Sequence, residues 1–188
     1  MKKAPTLIIA CFGLLIHAHT ATALDFGVAY SVVAPPEFPA QRQLGLYLDM
    51  PLGPLSIAPG LSFLSMPRWS FLSENGSSWK EYAFALNPSV SLSFKALSID
   101  AFDARLFGLL GGEYPISSGD SFSHLLRPLF ADMGLGLGLR LNEAIKLGID
   151  FSATVLSYDR DSGFGVPADR PYLRVSGKIG FSEASGKP

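Results

Sequence analysis

His124 follows Ser123 directly, with Ser121 and Asp120 close before it, so one short stretch holds an acid, two hydroxyls and an imidazole. These are the residue types of nucleophilic acyl chemistry, which works only when a base lies within hydrogen-bond reach of a hydroxyl. A serine-rich loop assembles such neighbours by chance, and closeness in sequence does not supply convergence. Asp159-Arg-Asp161 with Asp169 offers oxygen ligands, but a calcium cage needs more of them at fixed spacing. Gly134-x-Gly136-x-Gly138 is glycine-rich without a following helix to provide an anion site, so it is no phosphate loop. The expectation is no catalytic, metal or cofactor site.

The other charged residues are dispersed, and their placement says more. Asp25, Asp49, Glu81, Asp103, Asp132 and Asp150, with Arg105, Arg140, Lys146, Arg174 and Lys178, each fall on the polar side of a stretch in which apolar residues recur at every second position. That period belongs to a strand, whose side chains alternate between two faces. The clearest case is Met133-Gly-Leu-Gly-Leu-Gly-Leu-Arg-Leu141, apolar at every odd position and glycine at every even one except Arg140.

Eight such segments can be followed along the chain. Leu24 to Val32 comes first, and three prolines between Ala34 and Pro39 end it. Leu44 to Met50 and Leu55 to Phe63 flank the break Pro51-Leu-Gly-Pro54, and Pro59, lacking a backbone donor, predicts a bulge or interruption. Tyr82 to Phe94 reads as one long strand. A two-residue turn at Asn87-Pro88 would spoil its parity, although a three-residue turn would not. A break near Lys95-Ala-Leu97 leads into Phe102 to Leu110, where Asp100 falls on the wrong parity and predicts an interface position or a bulge. The glycine-rich strand starts near Leu129 and turns at Asn142-Glu-Ala144 into Ile145 to Val155. Leu173 to Phe181 is last. Loops at 65–78, 111–126 and 158–170 make the connections alternate, long then short, and no helical segment appears.

The chain has 188 residues, net charge −1, 48% hydrophobic and only 16% charged residues, against about a quarter charged in a usual soluble domain. Residues 1–23 stand apart. Lys2 and Lys3 precede the apolar run Leu7 to Ile16, and Ala21-Thr-Ala23 provides a small-residue processing site, the pattern of a cleaved secretory signal. The run is too short to span a bilayer, which takes about 20 residues. Cys11, His17 and His19 leave with it, so the mature chain has no disulfide or thiolate site, and 13 basic residues against 16 acidic ones give no footprint for nucleic acid.

Two all-β readings remain: a soluble lipocalin-like periplasmic barrel with its apolar face inward, or a membrane barrel with that face on lipid. The polar face is mostly Gly, Ser and Ala, with six acids and five bases. That is sparse for a water-facing surface and suits a narrow lumen of paired charges and small residues. Strands of about nine to eleven residues cross a bilayer when tilted, and a closed barrel pairs every backbone group. Aromatics fall near strand ends, Phe26, Phe94 and Phe181 towards one rim and Tyr30, Phe63 and Tyr82 towards the other. The fold expected is an eight-stranded antiparallel up-and-down transmembrane β-barrel over residues 24–181, with a short polar tail at 182–188. Arg140 is expected to face an acid on a neighbouring strand, such as Asp150.

On these residues the chain resembles the small eight-stranded bacterial outer-membrane proteins, the OmpA-transmembrane, OmpX and OmpW-like group. The most specific part of the resemblance is the last strand, where Leu173, Val175, Gly177, Ile179 and the closing aromatic Phe181 match that family's assembly signal. The departure is the tail after Phe181, since the family often ends on the aromatic. The resemblance implies outer-membrane lipid as surroundings, with periplasmic chaperones and the barrel-assembly machinery as partners during biogenesis. A lumen expected to be plugged by salt bridges, with long loops of mixed charge, points to non-enzymatic display of surface loops, for adhesion, host interaction or envelope stability, with a host or surface ligand as partner. The alternative is an OmpW-like channel for small apolar molecules, favoured if Gly134, Gly136, Gly138 and Gly148 leave the lumen open. Close packing against large neighbours such as Tyr47 would make the same glycines structural. A third reading, lipid A modification, would need His124 and its serines, but the His-x-Ser spacing of the deacylase type is absent.

Overall fold

The computed structural model describes residues 24–34, 40–67, 82–116, 127–159, 163–165 and 172–182. Its elements are ten strands: β1 (Asp25–Ala34), β2 (Gln41–Leu52), β3 (Leu55–Pro67), β4 (Tyr82–Ile99), β5 (Phe102–Gly111), β6 (Tyr114–Pro115), β7 (Leu129–Arg140), β8 (Ile145–Asp159), β9 (Gly163–Gly165) and β10 (Leu173–Ser182). Eight of them form an antiparallel meander in which each pairs with the next, and β10 closes the ring by pairing with both β8 and β1. The two short strands extend the rim: β6 lies on β4, and β9 forms a hairpin with the end of β8. No helix occurs among the described residues.

Closure fixes the stagger. From Val175 one row of paired residues runs through Val32 to Arg42 on β2. The same row followed the other way passes Phe151, Leu135, Leu106, Phe94 and Leu55, and reaches β2 at Leu52. The two arrivals differ by ten residues (52 less 42). Eight strands with that stagger tilt by about 40° and enclose a backbone cylinder of about 8 Å radius, from strand spacing and rise per residue. Such a lumen is filled by side chains.

The faces are sorted as alternation dictates. Outward positions carry exposed apolar side chains on every long strand, such as Leu46 at 66%, Met133 at 62% and Leu135 at 58%. Inward positions carry the buried polar residues, among them Gln43, Asn87, Asp132, Asp150 and Arg174. The apolar side chains buried in the lumen, Val33, Leu64, Ala85, Phe107 and Phe130, are a minority of its lining. The apolar exterior and polar interior invert a soluble core.

The short turns have local causes. Gly53 takes φ 69° between β2 and β3, a region open to glycine without steric cost. Asp100 takes φ 49° between β4 and β5, which a short polar side chain tolerates. Between β7 and β8 the Asn142 side-chain oxygen accepts hydrogen bonds from the backbone N–H groups of Ala144 and Ile145.

Two expectations need adjustment, and the one at Pro59 is narrowed to one of its alternatives. The chain does not turn near Lys95-Ala-Leu97; β4 continues to Ile99, and a register shift between Lys95 and Leu97 absorbs the odd residue, so Asp100 is a turn residue rather than a misplaced strand residue. Pro59 interrupts without a bulge: β2–β3 pairing stops at Tyr47–Gly60 and resumes at Met50–Ile57 in the same register. The third strand runs on to Pro67 and the seventh long strand, β8, to Asp159, beyond the ends expected from alternation. In β8 the cause is a bulge at Val155, which has no partner between the pairs Ala131–Leu156 and Asp132–Thr154 and reverses the parity beyond it. Asn87-Pro88 lies within continuous β4, paired with Ser62 and Leu61.

The lumen as candidate functional site

The lumen is built in tiers. Towards the end with the short turns, Lys146 of β8 forms an ion pair with the buried Asp25 of β1. Tyr47 packs its ring on Gly27, with the hydroxyl 3.1 Å from where a Cβ on Gly180 would stand. The glycines of β1 and β10 thus make room for the one tyrosine on the inner face of β2.

The middle tier is an acid shared by two bases. Asp150 Oδ1 accepts from Arg105 Nη2 at 2.9 Å, while Oδ2 lies 2.5 Å from Lys178 Nζ. The Lys178 ammonium also stands 5.2 Å from the Tyr47 ring centroid and 5.9 Å from that of Phe107, within reach of ring quadrupoles. Arg105, Gly136 and Asp150 occupy one register row across β5, β7 and β8. The guanidinium therefore passes over the glycine to reach its carboxylate. A Cβ on Gly136 would stand 2.5 Å from both Arg105 Nε and Asp150 Oδ1. Gly138 is covered in the same way by the Asp103 carboxylate, and Gly134 by Phe107, Ser152 and the Phe151 carbonyl. The space these glycines leave is thus filled, by β5 and β8 side chains rather than by Tyr47.

The upper tier lies towards the end with the long connections. Glu113, just after β5, accepts from Arg127 Nη2 at 2.5 Å and Nε at 3.1 Å, while its second oxygen takes the Arg127 backbone N–H at 3.0 Å. Arg127 also donates to Thr154 Oγ1 at 2.9 Å, which itself donates to Asp132 at 2.7 Å. Arg174 Nη2 approaches the same Asp132 at 3.5 Å. The Arg127 guanidinium lies 4.0 Å from the Phe130 ring centroid and 4.6 Å from that of Tyr172. Glu113, Arg127, Asp132 and Arg174 are all buried, so each charge is matched inside rather than solvated.

Much of the opposite wall, from β2, β3 and β4, is small and uncharged, Tyr47 and Asp49 of β2 excepted. Gly45, Ala58, Gly60, Ser62, Ser89 and Ser91 line it, with Ser56 and Ser93 bonded to each other at 2.7 Å. Long charged side chains from one half of the ring fit because the other half presents short ones.

Of the charged residues singled out in the sequence, Asp25, Arg105, Asp132, Lys146, Asp150, Arg174 and Lys178 meet in these clusters. Asp103 lies against Gly138, and Asp49 keeps a buried carboxylate oxygen without a hydrogen bond. Arg140 is not the partner of Asp150. It is exposed beside the β7–β8 turn, in register with Lys146, while Asp150 is in register with Gly136, four residues away. Arg105 and Lys178 take its place. Glu81, His124, Asp120, Ser121, Ser123, Asp161 and Asp169 lie outside the described residues, as do residues 1–23. Sequence reasoning missed Glu113 and Arg127, which belong to no alternating segment; their only signal was a single acid and a single base bracketing the longest loop. Among the described residues no group of three or more His, Cys, Asp or Glu is placed to hold a metal ion.

No family model matches the chain, and no curated protein matches it in sequence. Its fold does match solved structures. The N-terminal β-barrel domain of Pseudomonas aeruginosa OprF aligns with TM-score 0.53 at 10% identity, over 86% of this chain and 97% of that one. Neisserial surface protein A aligns with TM-score 0.51 at 8% identity, over 85% and 94%. The fold is that of the small eight-stranded outer-membrane β-barrels.

Proposed function

We propose that this chain is an integral outer-membrane barrel without catalytic activity, its lumen closed by ion pairs and its four long connections displayed at the cell surface. The observation that carries this reading is the filled interior. Arg105, Lys178 and Asp150 occupy the middle, and Glu113, Arg127, Asp132 and Arg174 the upper end, with Phe130 buried among them. An exterior of exposed Leu, Ile, Val and Phe calls for lipid around the barrel. Outer-membrane residence, export through the leader at residues 1–23 and assembly through Leu173 to Phe181 belong to the same reading. Adhesion, host interaction or envelope stability would be the task of the surface connections, all of which leave the same end of the meander.

The test is conductance of the refolded protein in planar bilayers. A plugged barrel passes no steady current at moderate voltage; regular single-channel steps would overturn the closed lumen and favour the channel reading. Fractionation of the expressed chain, with heat-modifiable gel migration, tests the membrane placement separately.

A further inference from the structure

Between the middle and upper tiers lies a small cavity of about 60 Å³, room for a few waters and little more. Arg174 and Lys178 of β10, Gln43 of β2, Asp150 of β8 and the seam serines Ser31 and Ser176 contribute to its wall. Two of these side chains hold spare donors. Arg174 is 7% exposed, and neither its Nε nor its Nη2 makes a hydrogen bond. Its nearest carboxylate, Asp132, stands 3.5 Å away and already accepts from Thr154. Gln43 is 2% exposed; its Oε1 accepts from Asn87 Nδ2 at 3.5 Å, which leaves Nε2 without a partner. A buried donor left unmet is costly, and more so when it is charged.

Charge points the same way. The wall carries two cations, Arg174 and Lys178, against one carboxylate, Asp150, and that carboxylate is shared with Arg105. Asp132 pairs with Arg174 at 3.5 Å without a hydrogen bond and is itself shared with Arg127 at 4.0 Å. We infer that the cavity is a binding site for one small monovalent inorganic anion of the chloride class, held by Arg174 and Gln43. Both unmet groups are donors, and an anion accepts from them without bringing hydrogens of its own. A phosphate would bring two charges and a bulk that leaves no space for the Ser31–Ser176 pair, whose hydroxyls bond at 2.8 Å. The inference stands whether or not the barrel conducts.

The refolded full chain in detergent provides the test. Thermal unfolding is followed in sodium chloride and in sodium gluconate at constant ionic strength. The expected result is a saturable rise in midpoint with chloride alone, and an anomalous peak inside the cavity in crystals grown from sodium bromide. Gln43→Glu puts a negative charge at the donor and should abolish the chloride effect. Gln43→Leu removes the donor without adding charge and should weaken apparent chloride affinity by about tenfold, one strong contact. It also serves if the glutamate variant does not fold. Equal midpoints in both salts, or bromide found only outside the cavity, would show that the site holds water and overturn the proposal.

Discussion

Arg105 on β5 and Asp150 on β8 join across an intervening strand, 2.9 Å apart and directly over Gly136 of β7. The pair exists because the residue between them has no side chain. The glycine-alternating strand is therefore the floor on which the charges of its two neighbours meet, and its bare inner face opposes the apolar outer face of Met133, Leu135 and Leu137.

Gly136→Val should disrupt this arrangement, since its Cβ would meet both partners at 2.5 Å. Overpacking of this kind costs about 1–3 kcal/mol. Gly177→Val on β10 is the control, because a Cβ there meets nothing within 4 Å and points to the lipid side. Urea unfolding of the refolded proteins should show a clear loss for the first and little change for the second. Equal losses would mean that β7 tolerates no substitution for reasons other than the ion pair.

Asp150→Asn leaves Arg105 and Lys178 facing each other without their shared carboxylate. Removing one partner of a buried pair costs roughly 3–5 kcal/mol. Adding Arg105→Gln should recover part of that loss, so the double variant should be more stable than the sum of the singles allows. Strict additivity in a double-mutant cycle would count against coupling over Gly136.

On the outer face the sign of polarity reverses. Leu135→Arg places a charge where Leu135 is 58% exposed to the surroundings of the barrel. In a bilayer that should cost about 2–4 kcal/mol near the midplane. Folding yield into liposomes, compared with Leu135→Ile, measures it. A neutral result for the arginine would return this face to water.

The upper tier predicts a change in permeability. Glu113→Ala with Arg127→Ala removes the paired charges that close the lumen end. Planar-bilayer recordings should then show conductance absent from the parent protein. Glu113→Ala alone should be less stable than the double variant, because it strands a buried guanidinium. A double variant as silent as the parent would locate the seal in the middle tier.

The number of long strands, their antiparallel order and the assignment of faces were all legible in the chain. A period of two sorts residues by parity alone, and glycine, serine and alanine opposite leucine leave little choice of which side meets lipid. Short turns at Gly53 and Asn142 were legible for the same local reason. Bulges were not. At Ala96 and Val155 one extra residue shifts parity without any compositional mark.

Partners were decided only by the tertiary structure. Parity says that Arg105, Arg140 and Asp150 all point inward, but not which of them share a row. That depends on the register of every strand pair and on the ten-residue stagger closure imposes. It sets Arg105, Gly136 and Asp150 side by side and leaves Arg140 at the rim. Glu113 and Arg127 were hidden for a related reason: they lie outside any periodic segment, and only the fold brings the two ends of that connection together inside the barrel. Sequence alone determined which face each strand residue takes, because alternation is a property of one strand. Contacts across the lumen are a property of the closed ring, and only the ring could decide them.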